Sequence, residues 1–236
     1  MAMWLIASNR NGISSWEIHR AIGITQKSAW FLLHRIRLAM QDEYWGGKLG
    51  GEVEADETFI GGKARNMHKD RKQRAQKETG RITGKTIAFG AFGMVQRGGT
   101  VRAMTVEDRG KAELQTRIKE HVEAGAAIFT DELPSYGLAE EFKHEVINQA
   151  VEYVNGNIHT NTMENFWSLL KRSLKGTYVS VEPFHLFRYL DEQAFRYNNR
   201  LPMSDSDRFT YLVRKIVGKR LTYKELTGKE ESPSAN

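Results

Sequence analysis

Met163, Phe166, Trp167, Leu170 and Leu174 fall at i, i+3, i+4, i+7 and i+11, one face of an α-helix. That stripe is the broad apolar surface of its segment, so it has to be buried against another layer. The chain offers β-type runs to receive it. Residues 51–60 (GEVEADETFI) read as a strand ended by Gly61-Gly62, and residues 86–97 and 100–106 as two more around the turn Gly98-Gly99. A helix over about 110–124 presents Leu114, Ile118 and Val122, and AAIFTDEL follows as a short strand. A helix near 137–143, two short β-like pieces (HEVINQ and VEYV) and a polar loop from Asn155 to Asn161 lead to the striped helix. Another helix covers about 182–198, after Glu182-Pro183. From about Leu221 the charged, Ser/Pro-rich end is expected to fray.

Three strands, helix, strand, helix, short strand, helix is the order of a ribonuclease-H-like fold, an α+β mixed sheet flanked by helices on both faces. Along the chain this predicts a helix-turn-helix segment at 1–45, a catalytic domain at 50–200 and a C-terminal extension at 201–236 with a disordered end.

The first of these is written in capping signals. Ser14-Ser15-Trp16-Glu17 fits a capping box, Gly23 breaks the helix, and Thr25 is placed to cap a second one. Ala29, Leu32, Leu33, Ile36 and Met40 hold the helical period from there. The pattern puts Gln26, Lys27, Ser28 and Phe31 where a recognition helix meets a major groove. His19 stands where such motifs usually carry a small residue, and any helical hairpin has a similar pattern.

Charge bears on the partner. The net charge is +6, but it is unevenly spread: residues 61–86 hold nine Lys/Arg against Asp70 and Glu78. Residues 51–60 and 87–164 together sum to −9. Basic segments around an acidic centre suit a protein that holds cations in the middle and DNA phosphates around them; a solvated basic loop gives the same numbers. No Cys is present, which excludes disulfides and thiolate metal sites, and no apolar run reaches the ~20 residues of a membrane helix. A cytoplasmic, nucleoid-associated protein is expected.

Phosphodiester cutting and joining needs an activated nucleophile and charge relief on the leaving oxygen, which paired divalent cations supply when carboxylates hold them. Asp56 lies within a strand, Asp131 ends another, and Glu164 opens a helix. The residue types do not select these three by themselves. Glu52, Glu54 and Glu57 compete with Asp56, and Glu132 competes with Asp131. Asn161-Thr162-Met163-Glu164 also fits a capping box in which Glu164 is structural.

VEADETFIGGK, IFTDELPSYGLA and HTNTMENFWSLLKRSLKGTY resemble, in order, the three catalytic blocks of insertion-sequence DDE transposases of the ISXO-like type. RYNNR, KRLTYKEL and GISSWEIHRAIGITQKSAWFLLHRIR resemble that family's C-terminal pieces and its helix-turn-helix. The resemblance implies a metal-dependent enzyme, cleaving and transferring DNA strands, with Asp56, Asp131 and Glu164 as the carboxylates that hold two Mg²⁺ (or Mn²⁺) ions. Thirty-two residues separate the second and third, close to the family's short spacing. His159 and Asn161 are candidate accessory groups; Lys171 and Arg172 are candidate phosphate contacts. Double-stranded DNA, both transposon end and target, is the implied partner, with a homo-oligomer assembled on it. Members commonly begin with a zinc ribbon, so this chain is expected to be an N-terminally truncated copy. A non-enzymatic DNA-binding remnant and a structure-selective nuclease on the same fold are the alternatives.

The basic stretch yields a first expectation. Changing Lys69, Arg71, Lys72 and Arg74 to Ala should flatten the fall of log K with log salt for DNA binding, by up to about 0.9 for each phosphate that the arm no longer neutralises. Filter-binding titrations across salt concentrations measure it; an unchanged slope removes the arm from the interface.

Overall fold

The structure is a computed structural model, describing residues 1–41, 47–61, 89–106, 111–131, 142–147, 160–179, 181–201 and 203–228. Its elements are α1 (Ala2–Ser8), α2 (Ser15–Ile22), α3 (Gln26–Met40), β1 (Glu52–Ile60), β2 (Phe89–Gln96), β3 (Val101–Val106), α4 (Lys111–His121), β4 (Ala127–Asp131), β5 (Lys143–Ile147), α5 (Asn161–Ser173), α6 (Leu186–Asn198), α7 (Asp205–Lys215) and α8 (Tyr223–Thr227). They form two compact units. One is Gly47–Trp167; the other joins Met1–Gly46 to Ser168–Asn236, a division that crosses the three segments drawn along the chain from sequence.

In Gly47–Trp167 the sheet order is β3-β2-β1-β4-β5. β1, β2 and β3 pair antiparallel, as short turns dictate for β2 and β3, while β4 runs parallel to both β1 and β5. This is the mixed ribonuclease-H-like sheet expected from sequence. Alternation along the strands sends one set of side chains to each face. Val53, Ala55, Phe92, Met94, Val106 and Ile128 pack with Leu114 and Ile118 of α4 and with Val122 just after it. On the opposite face lies α5. Gly93 of β2 shows why it can lie so close: a Cβ there would stand 2.3 Å from Met163 Cε and 2.7 Å from Trp167 Cζ2. The sequence-derived stripe is thus buried as its period required, with Met163, Phe166 and Trp167 nearly inaccessible.

β5 occupies Lys143–Ile147, so the helix expected near 137–143 is not continued at its last residue; 137–141 lie outside the described residues. VEYV also lies outside them.

The other unit packs α1, α2 and α3 with Phe195 of α6 and Leu212 of α7 around Ile6, Ile18, Leu33 and Ile36. α2 carries the expected capping box at Ser14 and Glu17, and ends on Gly23 at φ 72. His19 joins its ring nitrogen to the Ile24 carbonyl, so the bulky residue closes the turn rather than disturbing it. Three helices went unforeseen: α1, and two that each open with a legible capping box, Ser204 with Asp207 for α7 and Thr222 with Glu225 for α8. α8 buries Leu226, which corrects the expectation that the chain frays from Leu221. Among the described residues no helix is long and apolar enough to cross a membrane.

A buried polar cluster ties this unit together. Arg37 Nε donates to Glu192 at 2.7 Å, both side chains being essentially inaccessible. Arg196 and the Tyr178 hydroxyl also donate to Glu192. Tyr178 closes a π-helical turn, Leu174–Tyr178, that follows α5, and Gly12 (φ 79) leaves room for its hydroxyl, which a Cβ would overlap. Val179 then leaves at φ 62, a strained conformation for a β-branched residue.

Two stability expectations follow. Gly93→Val should cost about 1–3 kcal/mol through overpacking against Trp167, read as a lower urea midpoint. Burial would raise the Glu192 pKa, yet Arg196 and Arg37 outweigh it and hold the group at about 2, below its ordinary 4.5. A depressed carboxylate stabilises above the unfolded pKa and loses that contribution as pH falls from about 4.5 towards 2. Glu192→Gln should therefore destabilise by about 3–5 kcal/mol at neutral pH, with the gap to wild type closing across that acid range.

Candidate functional site

β1 carries four acids, and its neighbours sort them. Arg97, in the turn after β2, donates through Nη1 to Glu52 at 2.9 Å and through Nε to Glu54 at 2.9 Å. Its guanidinium lies over the Phe129 ring, 4.2 Å from the centroid. Glu57 points to the face opposite Glu54 and Asp56, by alternation. Asp56, half-buried, is cross-strand from Gly93, the position over which α5 packs.

The parallel register of β1 with β4 runs from Glu52 beside Ala127 to Ala55 beside Thr130. Asp56 and Asp131 are the next residues on each strand, so their backbones are neighbours across a spacing of about 4.8 Å. The Asp131 side chain lies outside the described residues, as does all of Glu132. Asp131 itself is paired on its other side with Ile147 of β5. Among the described residues no group of three His, Cys, Asp or Glu side chains is gathered to hold a metal ion.

Glu164 is exposed in the first turn of α5. The start of that helix differs from the capping box that sequence allowed. The Glu164 amide donates to the Thr160 carbonyl at 3.0 Å, which makes Thr160 the cap residue and puts Glu164 one position beyond a capping-box acid. The Thr160 hydroxyl reaches the Glu164 carboxylate at 3.4 Å. The orphan amides of the turn are met from the sheet instead: Glu54 Oε2 accepts from Thr162 N at 2.9 Å and from Met163 N at 3.0 Å. Glu54 Oε1 accepts from the Thr162 hydroxyl at 3.0 Å. A buried carboxylate on a central strand thus fixes where the helix of Glu164 begins, two residues from Asp56 on the same face. Sequence reasoning met Glu54 as a rival to Asp56 and missed this role.

Asn161 is exposed as the first residue of α5, and His159 lies outside the described residues. Lys171 and Arg172 occupy the last turn of the same helix, half-buried and exposed respectively, where cations suit the helix dipole. In the helix-turn-helix, Gln26 is engaged within the motif, its amide donating to the Ser15 hydroxyl at 2.9 Å. The Lys27 ammonium sits over the Tyr223 ring of α8, 4.8 Å from its centroid, and the Phe31 ring meets the same ring edge-on. Ser28 is exposed, its hydroxyl 2.9 Å from that of Thr25. The arm residues Lys69, Arg71, Lys72 and Arg74 lie outside the described residues.

No curated protein is significantly similar to the chain. Residues 48–198 match the ISXO2-like transposase domain, a span that begins just before β1 and ends with α6. With the match covering well over half of its length, the chain belongs to the ISXO2-like, or IS1595, family of DDE transposases.

Proposed function

We propose that the chain is a DDE transposase enzyme that cuts DNA at the end of an insertion sequence and joins the freed end to target DNA, with Asp56, Asp131 and Glu164 as its carboxylates. The observation that carries this is the parallel register of β1 with β4, which makes Asp56 and Asp131 neighbours. Family membership supports it, and so does the anchoring of the first turn of α5 on the same face of the sheet.

The candidate donors are all carboxylate oxygens, in a chain without cysteine, which is the donor chemistry a hard divalent cation prefers. Two such ions, Mg²⁺ or Mn²⁺, supply when bound an activated water and charge relief on the leaving oxygen. Asp56 and Asp131 sit on paired strands, whose hydrogen bonds restrict their movement. Glu164 completes the set from a helix held to the same sheet. In the first step water attacks the phosphorus at the element's end, and the P–O3′ bond breaks to leave a 3′-hydroxyl. In the second, that hydroxyl forms a P–O bond in target DNA while the target's own P–O3′ bond breaks. The carboxylates act as ligands, so no covalent protein–DNA intermediate forms. DNA is held outside the chemical step by the exposed Lys27 and Ser28 of α3, by Lys171 and Arg172, and by the arm with Lys69, Arg71, Lys72 and Arg74.

The test is a strand-cleavage and strand-transfer assay with DNA carrying the element's end, a target plasmid and Mg²⁺ or Mn²⁺. Wild type should give both nicked and joined products. Asp56→Asn, Asp131→Asn and Glu164→Gln should each lose more than the roughly 10–100-fold that outer-shell changes cost, with melting temperatures unchanged. DNA binding with no cleavage by wild type would leave a non-enzymatic binder, and cleavage without joining a nuclease.

A further inference from the structure

We infer that Glu54 is a positioning residue of the active site: it caps α5 from the central strand and so sets the place of Glu164 relative to Asp56. This rests on the assignment of those two carboxylates proposed above.

Burying a carboxylate costs free energy unless every oxygen is engaged. Glu54 has no exposed surface, and its bonds explain how it is tolerated. One oxygen takes two orphan amides of α5; the other takes the Thr162 hydroxyl and Arg97 Nε. The positive end of the helix and the guanidinium together balance the charge.

What distinguishes this cap is its origin. A helix start is normally satisfied by its own N-cap side chain, and Thr160 stands there with a hydroxyl able to serve. That hydroxyl is instead within reach of the Glu164 carboxylate, while the amides are met from 108 and 109 residues away. A local cap satisfies amides without regard to where the helix lies. A remote cap also fixes the distance and register between helix and strand. Here the strand position is two residues from Asp56, about 7 Å along β1. The helix position, Met163, is one residue before Glu164. Arg97 orients the cap in turn, since it grips both Glu52 and Glu54 and rests on Phe129 of β4, the strand that ends in Asp131.

The test compares full-length wild type, Glu54→Gln and Asp56→Asn in three measurements: amide hydrogen exchange without metal or DNA, Mn²⁺ binding followed by electron paramagnetic resonance, and strand cleavage. Glu54→Gln should remain folded yet exchange the Thr162 and Met163 amides at least about tenfold faster, a local opening confined to the first turn of α5. Its Mn²⁺ affinity and its cleavage at limiting Mn²⁺ should fall about 10- to 100-fold, with cleavage recovering at saturating Mn²⁺. Asp56→Asn should lose Mn²⁺ and cleavage while its α5 amides exchange as in wild type. Unchanged exchange in Glu54→Gln overturns the positioning role, as does faster exchange with unaltered Mn²⁺ affinity, which would make the cap merely structural. Equal Mn²⁺ binding and cleavage by wild type and Asp56→Asn overturns the carboxylate assignment instead. Should Glu54→Gln not fold, Thr162→Val removes the hydroxyl contact alone, and a Mn²⁺ affinity equal to wild type would then count against the inference.

Discussion

One buried carboxylate carries much of the organisation of the sheet unit. Glu54 sits in the strand that pairs antiparallel on one side and parallel on the other, and it reaches out of the sheet to the first turn of α5. The helix is then drawn down over Gly93, where the absence of a side chain admits Met163 and Trp167. Polar anchor and apolar contact act at neighbouring points on one face. The first sets where the helix starts; the second sets how near it lies. Neither substitutes for the other, because apolar packing is tolerant of sliding whereas hydrogen bonds are directional.

The second unit solves a similar problem with different chemistry. Glu192 is buried among Arg37, Arg196 and Tyr178, which come from α3, α6 and the π-helical turn. Such a cluster adds little net stability compared with apolar packing of the same volume, but once formed it permits few other arrangements of the elements it joins. Segments from both ends of the chain meet in it, which is why a division read along the sequence could not find this unit.

Legibility in the sequence followed the range of the deciding interaction. The stripe on α5, the strands of the meander and the caps of α2 and α3 are set by residues within a few positions of one another, and periodicity or a capping pattern reveals them. α7 and α8 were equally legible, since each opens with a capping box and α7 carries Phe209, Leu212, Val213 and its cap residue Ile216 at helical spacing. The role of Glu54 was not legible, since it depends on partners more than a hundred residues away. Asn161–Glu164 could be taken for a local capping box because the pattern fits, yet the Glu164 amide donates to the Thr160 carbonyl, so the helix starts one residue earlier than the pattern suggests. Gln26 and Lys27 show the limit on the surface side. Spacing puts them on one helix, but it does not show that the Ser15 hydroxyl bonds the Gln26 amide or that the exposed Lys27 lies over the Tyr223 ring.

The remote cap also imposes an order in time. During synthesis β1 leaves the ribosome long before Thr162 and Met163 exist, so a nascent chain carries Glu54 with its helix partners still missing. Closing a contact across that separation comes late, because loop closure has an entropic cost and distant contacts form slowly. The sheet can assemble first, but the seat of Glu164 cannot. A translation product that stops short of α5 would hold two of the three carboxylates proposed for the site and lack the third.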